Sequence, residues 1–279
     1  MKIWEAILYG LFGGVSELLP ISYNGHYALL RSAFNLTPLN EGGGYYIRLA
    51  ICVGVILAIN IAFRAESRTL GREVLRITGI KKRGRRERYD RLRVRSIVIG
   101  LFALLPMLLS LIFATLVDHF SGLLLVALLF VLNGLILFFC FRTNEGGKTE
   151  RSVLLSDLLW LGFGRALWVL PGLSSLGMSL SVGRLRGLKN EYSTRLAYML
   201  TLAFECVAFF YHLIRAFVYG SFTFAILLPM LFGILFATVA GYFAIQYFRY
   251  LIQRNKINLF AYYSWEAAAI VLILALINA

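Results

Sequence analysis

Charged residues are scarce in this chain, and acidic ones are the scarcest. Only 15% of the 279 residues are Asp, Glu, Lys or Arg, and 59% are hydrophobic. A soluble domain usually has about 25% charged residues. There are 14 acidic against 28 basic residues, which gives a formal net charge of +14. This composition argues against a soluble globular domain and predicts an all-α integral membrane protein.

Cysteine and proline are also rare, with three and five residues. Cys52, Cys140 and Cys206 lie in apolar segments without C-x-x-C spacing, so we interpret them as small buried hydrophobic residues. No A-x-A cleavage site follows the first apolar run, and we therefore expect that run to belong to the mature fold.

Long hydrophobic runs predict six transmembrane helices. A membrane-spanning helix needs about 20 mostly apolar residues. The candidates are residues 45–63, 96–117, 121–141, 196–214, 222–247 and 257–277. Two further apolar stretches, 3–30 and 153–182, are interrupted by Pro and Gly, which end or kink a helix. We expect one polytopic domain over residues 1–279.

The two interrupted stretches suggest an internal repeat. Leu19-Pro20 is followed by Ser22 and Gly25, and Leu170-Pro171 is followed by Ser174 and Gly177. Three predicted spans separate the breaks, so the repeat would be inverted, with halves at roughly 1–141 and 152–279. Paired breaks of this kind predict two re-entrant helix pairs and a binding site at membrane depth. The alternative is two proline-kinked spans with incidental serines.

Basic residues are concentrated in one predicted loop. Thirteen of the 28 Lys and Arg residues lie in the segment 64–95. A basic run can indicate nucleic-acid binding, but this one links two spans, so the positive-inside rule explains it without nucleic acid. We expect the loop to be cytoplasmic and to contact anionic membrane lipids.

Polar groups at both breaks form a candidate anion site. Glu17 and His26 flank the first break and can act as acid, base or metal ligand. Helix N-termini present free N–H groups that bind phosphate. Neutral donors at the breaks are Ser22, Asn24, Ser174 and Ser175. We predict a phosphorylated lipid as the ligand, and we interpret His212, near the end of an apolar helix, as structural or interfacial.

The first break resembles a family signature. Residues 13–26 read Gly-Gly-Val-Ser-Glu-Leu-Leu-Pro-Ile-Ser-Tyr-Asn-Gly-His. They are similar to the E-G-x-T-E-F-L-P-x-S-S-T-G-H of the bacitracin-resistance type undecaprenyl-diphosphate phosphatases. Residues 171–179, Pro-Gly-Leu-Ser-Ser-Leu-Gly-Met-Ser, resemble that family's second signature, P-G-x-S-R-S-G-A-T. The resemblance extends over nearly the whole chain.

The resemblance implies a multi-pass enzyme of the bacterial inner membrane that dephosphorylates undecaprenyl pyrophosphate and recycles this carrier lipid for peptidoglycan synthesis. Its catalytic residues would be Glu17, Ser22 and His26, with Glu17 also binding Mg²⁺ or Ca²⁺. The substrate phosphates would contact Gly172, Ser174, Ser175, Asn24, Arg48 and Arg165. A homodimer is compatible with this picture.

Three signature positions carry residues that change the chemistry. Gly13 stands in place of a glutamate, Tyr23 in place of a serine, and Ser175 in place of an arginine. Without the glutamate a metal is bound less well, and without the arginine a bidentate phosphate clamp is lost.

Two arginines can compensate for the missing one. Arg48 and Arg165 both align with glutamines of the family, and either can present a guanidinium to an anion. Alternatively, they pair with Glu17 or Glu205, or reach an interface, because a charge buried in the membrane needs a partner.

Three functions therefore remain open from the sequence. The first is hydrolysis of polyprenyl pyrophosphate. The second is a catalytically impaired family member that binds or flips polyprenyl phosphate, or regulates a true phosphatase. The third is proton-coupled transport of a small anion, which rests only on Glu17 and His26.

Overall fold

The structure is a computed structural model that describes residues 1–79, 100, 102–113 and 122–278. Helices and short loops make up this part of the chain. The α-helices are α1 (Ile3–Leu18), α2 (Tyr23–Phe34), α3 (Gly44–Ala62), α4 (Arg64–Ile77), α5 (Phe102–Phe113), α6 (Leu123–Cys140), α7 (Leu155–Ala166), α8 (Ser175–Leu185), α9 (Asn190–Tyr219), α10 (Leu227–Gln253) and α11 (Leu259–Ile277).

Five helical segments among the described residues are long and apolar enough to cross a membrane. They are α3, α6, α9, α10 together with the 3₁₀ turn that precedes it, and α11. Each coincides with a span predicted from hydropathy, so the prediction of an all-α, multi-pass membrane protein is confirmed. The sixth predicted span, 96–117, lies partly outside the described residues, and its described portion contains the short helix α5.

Both interrupted stretches are split where the prolines predict. In the first break, residues 19–22, α1 stops and α2 begins. The second break, residues 167–174, contains a 3₁₀ turn between α7 and α8. Proline has no N–H to donate and therefore cannot continue a helix. The result is two pairs of short helices in place of two continuous spans.

The helices that follow the breaks begin in the same way. The Ser22 hydroxyl accepts a hydrogen bond from the Gly25 N–H at 3.3 Å, and the Ser174 hydroxyl accepts one from the Gly177 N–H at 3.1 Å. Each serine is the N-cap of its helix. This shared cap supports the predicted repeat, while the division at 1–141 and 152–279 and the inverted orientation stay predictions.

Residues of the two breaks form hydrogen bonds with each other, and we call this contact the crossing. The Gly172 N–H donates to the Ser22 hydroxyl at 3.0 Å. From α6, fully buried Asn133 donates to the Pro20 carbonyl at 3.3 Å and accepts from the Ser174 N–H at 2.9 Å. Polar backbone exposed by the breaks is thus satisfied inside the protein, as membrane depth requires.

Small residues allow the first helix to pack closely on the bundle. Gly10 and Gly14 of α1 face Gly233 and Ala237 of α10, and a methyl group on Gly14 would overlap the Ala237 carbonyl oxygen. This close approach of small residues is a common way for helices to associate in membranes. It holds α1, and therefore Glu17 near its end, against the spanning helices.

A buried carboxylate anchors the start of the second helix pair. The Asp157 side chain is fully buried, 3.1 Å from the Lys148 ammonium and 2.7 Å from the Arg186 guanidinium. It also accepts from the Leu154 N–H at 3.0 Å. The loop before α7 is therefore tied to the end of α8.

Candidate functional site

Two adjoining cavities lie beside the breaks. The small cavity has a volume of about 50 Å³, and the large cavity has a volume of about 630 Å³. Their walls share Asn24, Arg48, Trp168 and His212, so the cavities adjoin. The large cavity falls within the size range of ligand pockets, roughly 300–1,000 Å³.

A buried arginine contacts three of the side chains that line the small cavity. Arg165, from α7, is only 1% exposed. It donates to the Glu17 carboxylate at 2.5 Å and to the Ser175 hydroxyl at 2.9 Å, and the same nitrogen that meets Glu17 is 3.9 Å from a Glu205 oxygen. The guanidinium thus stands beside Ser175, where the signature has its arginine, although it comes from a different helix.

The large cavity presents positive charge. Its lining includes the side chains of Arg31, Arg48 and Arg215 and no carboxylate among the described residues. Arg215 donates to the hydroxyls of Tyr211 and Tyr45, at 3.1 Å and 3.4 Å. Neutral phenols leave the positive charge uncompensated, and an anion that enters the cavity can therefore pair with it.

Two of the changed signature positions are linked by packing. A methyl group on Gly13 would lie 2.7 Å from the Ile51 side chain and 3.3 Å from the Tyr23 ring. The space next to Gly13 is therefore filled, in part by the tyrosine that replaces the signature serine. The Arg48 guanidinium lies over the same Tyr23 ring, 5.0 Å from its centroid. The ring thereby positions a cation at the wall shared by both cavities.

Four of the predicted site residues build the crossing or its surroundings. Ser22, Gly172 and Ser174 are engaged in the backbone contacts of the two breaks. The His26 ring is buried, with Nδ1 at 2.7 Å from the Ser22 carbonyl and Nε2 at 2.6 Å from the Tyr263 hydroxyl. In the described part of the chain, none of these four lines the small or the large cavity.

The other predicted site residues come together at the cavities. Glu17, Asn24, Arg48 and Ser175 line the small cavity, and Asn24 and Arg48 also line the large one. Arg165 lies directly behind Glu17 and Ser175. The structure therefore separates the predicted set into a cavity group and a crossing group.

One face of α9 supplies site residues that the sequence analysis did not assign. Glu205, Ala208 and His212 line the small cavity, and His212 and Arg215 line the large one. His212, which the sequence analysis interpreted as structural or interfacial, thus lies in the wall that both cavities share. His212 follows Glu205 by seven positions, which places both residues on one face of the helix. This helical periodicity is the sequence signal that could have assigned both residues to the site.

The described residues do not complete a donor set for a divalent cation. Ca²⁺ takes six to eight oxygen ligands, and Mg²⁺ needs near-octahedral oxygen coordination. Among the residues that the structure describes, Glu17 and Glu205 are the only carboxylates lining the small cavity, and both face Arg165. The described part of the chain contains no group of three or more His, Cys, Asp or Glu side chains able to hold a metal. The described residues thus supply two carboxylates to this site, and the Mg²⁺ or Ca²⁺ implied by the signatures stays a prediction.

The fold and the site define a class of protein. The chain is a polytopic membrane protein in which two broken helices meet beside an arginine-lined cavity. It belongs to the family described as Bacitracin resistance protein BacA, whose family model matches residues 6–270.

Named relatives cover the chain almost from end to end. A Methanobrevibacter smithii protein named undecaprenyl-diphosphatase is 29% identical over 276 residues, which is 97% of each chain. Proteins of the same name from Carboxydothermus hydrogenoformans and Halothermothrix orenii are 26% and 25% identical, over 98% and 99% of each chain.

Proposed function

We propose that this protein hydrolyses the terminal phosphate of undecaprenyl pyrophosphate or a closely related polyprenyl pyrophosphate. The observation that carries the proposal is the set of three arginines, Arg31, Arg48 and Arg215, that line the large cavity. The adjoining small cavity has a fourth arginine behind its wall, Arg165, held by Ser175 and Glu17. Family membership and the name of the relatives agree with it. The product lipid monophosphate would then be available again as a carrier for cell-wall precursors.

The proposed reaction takes place in the large cavity, at the wall that it shares with the small cavity. Arg31, Arg48 and Arg215 bind the pyrophosphate oxygens in the large cavity and neutralise their charge. A water molecule attacks the terminal phosphorus, and the bridging P–O bond breaks. Inorganic phosphate and the lipid monophosphate leave. Positioning and charge neutralisation provide most of the catalysis in phosphoryl transfer.

His212 is the residue that we propose as the proton acceptor. It lies in the wall shared by both cavities, whereas both nitrogens of His26 are already engaged. Neutral imidazole can take the proton from the attacking water and later release it to the phosphate product. Glu17 is less suited to this role because Arg165 holds it at 2.5 Å.

Phosphate release by purified protein tests the proposal. We expect wild-type protein to release phosphate from undecaprenyl pyrophosphate. Arg48→Gln should raise KM because a phosphate contact is lost, and His212→Gln should lower kcat by about 10²-fold or more because general-base catalysis is lost. The matched control is Arg254→Gln, which removes an exposed arginine that stacks on Tyr250, away from both cavities.

The outcomes separate hydrolysis from the carrier or regulatory alternative. Release that survives His212→Gln undiminished contradicts the role of His212. Tight binding of the lipid with no release by wild-type protein contradicts hydrolysis and favours the carrier or regulatory alternative.

The proposal also places the chain in the bacterial cytoplasmic membrane, with the segment 64–95 on the cytoplasmic side. Arg64, Arg68, Arg72 and Arg76 recur at intervals of four in α4, and the first three are exposed. A basic helical face of this kind suits contact with anionic lipid headgroups. Residues 80–95 of the segment lie outside the described residues, and the homodimer stays a prediction.

A further inference from the structure

The Arg165 guanidinium already pairs with the two carboxylates that a metal ion in the small cavity would need. One of its nitrogens is 2.5 Å from a Glu17 oxygen and 3.9 Å from a Glu205 oxygen. A divalent cation bound by both carboxylates would lie about 2.0–2.6 Å from an oxygen of each. It would therefore compete with the guanidinium for these two oxygens.

The charges of the small cavity are balanced without a metal. Two carboxylates, Glu17 and Glu205, line it, and two guanidinia, Arg165 and Arg48, lie behind or within its wall. An arginine side chain stays protonated in proteins, so both guanidinia keep their positive charge. Binding a divalent cation would add two uncompensated positive charges at membrane depth, where charge is costly.

Arg165 also retains an unused donor. Its Nε is buried and has no hydrogen-bond acceptor among the described residues. A buried donor without an acceptor costs about 1–3 kcal/mol. An oxygen of a bound phosphate is a suitable acceptor, and a guanidinium can bind phosphate while it pairs with a carboxylate through its other nitrogens.

We infer that Arg165 is the resident cation of this site, in place of the divalent metal that the family resemblance implies, so that the protein binds and hydrolyses its lipid substrate without a divalent ion. The hydrolysis part of this inference rests on the proposed function. The binding part does not, because it concerns only whether the carboxylates are available to a metal.

Manganese binding measured by electron paramagnetic resonance tests the binding part. Purified wild-type protein without lipid should leave the signal of free Mn²⁺ unchanged at micromolar concentration. Arg165→Gln should create a Mn²⁺ site, because it frees Glu17 and Glu205, and the double variant Arg165→Gln/Glu205→Gln should lose it. Arg254→Gln should behave as wild type.

Two results would overturn the inference. One is stoichiometric Mn²⁺ binding by wild-type protein that disappears in Glu17→Gln. The other is phosphate release that EDTA abolishes and Mg²⁺ restores. If the inference is right, the rate of phosphate release with EDTA stays within about twofold of the rate with Mg²⁺. The wild-type measurements suffice even if Arg165→Gln does not fold.

A failure of the proposed function is distinguishable from a failure of this inference. If no condition gives phosphate release, the proposed hydrolysis is wrong, and wild-type Mn²⁺ binding still decides whether Arg165 excludes the metal.

Discussion

At the scale of single residues, Tyr23 connects two changes in the signature. Its ring fills space beside Gly13 and lies under the Arg48 guanidinium. The tyrosine therefore does more than replace a serine hydroxyl, because it removes room for a longer side chain at position 13 and holds a cation at the cavity wall.

Replacing Tyr23 tests this role of the ring. Cation–π contacts are worth about 0.5–2 kcal/mol, which corresponds to about 2- to 30-fold in affinity. Tyr23→Ser should raise KM for the lipid pyrophosphate within that range, while Tyr23→Phe should stay close to wild type. Steady-state phosphate release measures both. The control is Tyr250→Ser, which removes the same kind of arginine–tyrosine stacking outside the site.

A gain in kcat by Tyr23→Ser with KM unchanged would contradict this role. It would mean that the serine hydroxyl of the signature is the missing catalytic group and that the ring holds nothing in place.

The sequence allowed part of this site to be predicted. The lost glutamate and arginine are visible in the signatures, and Arg48 and Arg165 stand outside them at positions where the family has glutamines. Pairing of an arginine with Glu17 was one of the two alternatives. In the structure, Arg165 pairs with carboxylates, whereas Arg48 faces the cavity. Three-dimensional packing decides this difference, and no spacing in the sequence reveals it.

At the scale of elements, the helices were easier to predict than their inward faces. Apolar length and the missing proline N–H are local properties, so the five spans and both breaks followed from the sequence. Glu205 and His212 share a face of α9, but only its packing against α3 decides that this face turns towards the cavities. That packing depends on residues far apart in the chain.

The anchor of α7 makes stability depend on pH. Burial alone raises the pKa of Asp157. Hydrogen bonds from Leu154, Arg186 and Lys148 outweigh burial and hold the pKa below its ordinary value of 3.8. A carboxylate whose pKa is lower in the folded state stabilises the fold above the unfolded-state pKa, and this contribution is lost as the pH falls through the folded-state value.

Asp157→Asn should therefore lower the free energy of unfolding at pH 7, and it should lower it by less at acidic pH. Losing charge-assisted hydrogen bonds costs about 1.5–3 kcal/mol, which corresponds to roughly 5 °C in Tm for a chain of this size. Thermal unfolding in detergent should show this difference in Tm between wild type and Asp157→Asn at pH 7, and the difference should become smaller below pH 3.8. Glu191→Gln, at an exposed position in the first turn of α9, is the control. A gap that widens in acid would contradict the assignment.

At the scale of the whole molecule, the large cavity and the basic helix lie at opposite ends of α3. Tyr45, near the start of α3, lines the large cavity, and α4 follows directly after the end of α3. If α4 is cytoplasmic, the large cavity opens towards the outer side of the membrane. Arg215, near the outer end of α9, lies on the same side.

Cysteine labelling in whole cells tests this orientation. The background is Cys206→Ala. Cys52 and Cys140 are buried as expected from the sequence, but Cys206 is exposed, so that expectation was wrong for it. Gly71→Cys, at an exposed position of α4 with open space around it, should react with a membrane-impermeant maleimide only after permeabilisation. Ser221→Cys, between α9 and α10, should react in intact cells. The reverse pattern would place the segment 64–95 outside and contradict the positive-inside assignment.

The ion pair between Glu17 and Arg165 has a consequence for biosynthesis. Its partners are 148 positions apart in the chain, so the ribosome, at about 5–20 residues per second, needs roughly 7–30 s to supply the second after the first. During this time α1 and α2 hold a carboxylate without its cation, in a half that also lacks Gly172 to meet Ser22. The site around Glu17 is therefore complete only after the second helix pair has been synthesised, which makes the pocket one of the last parts of the protein to form.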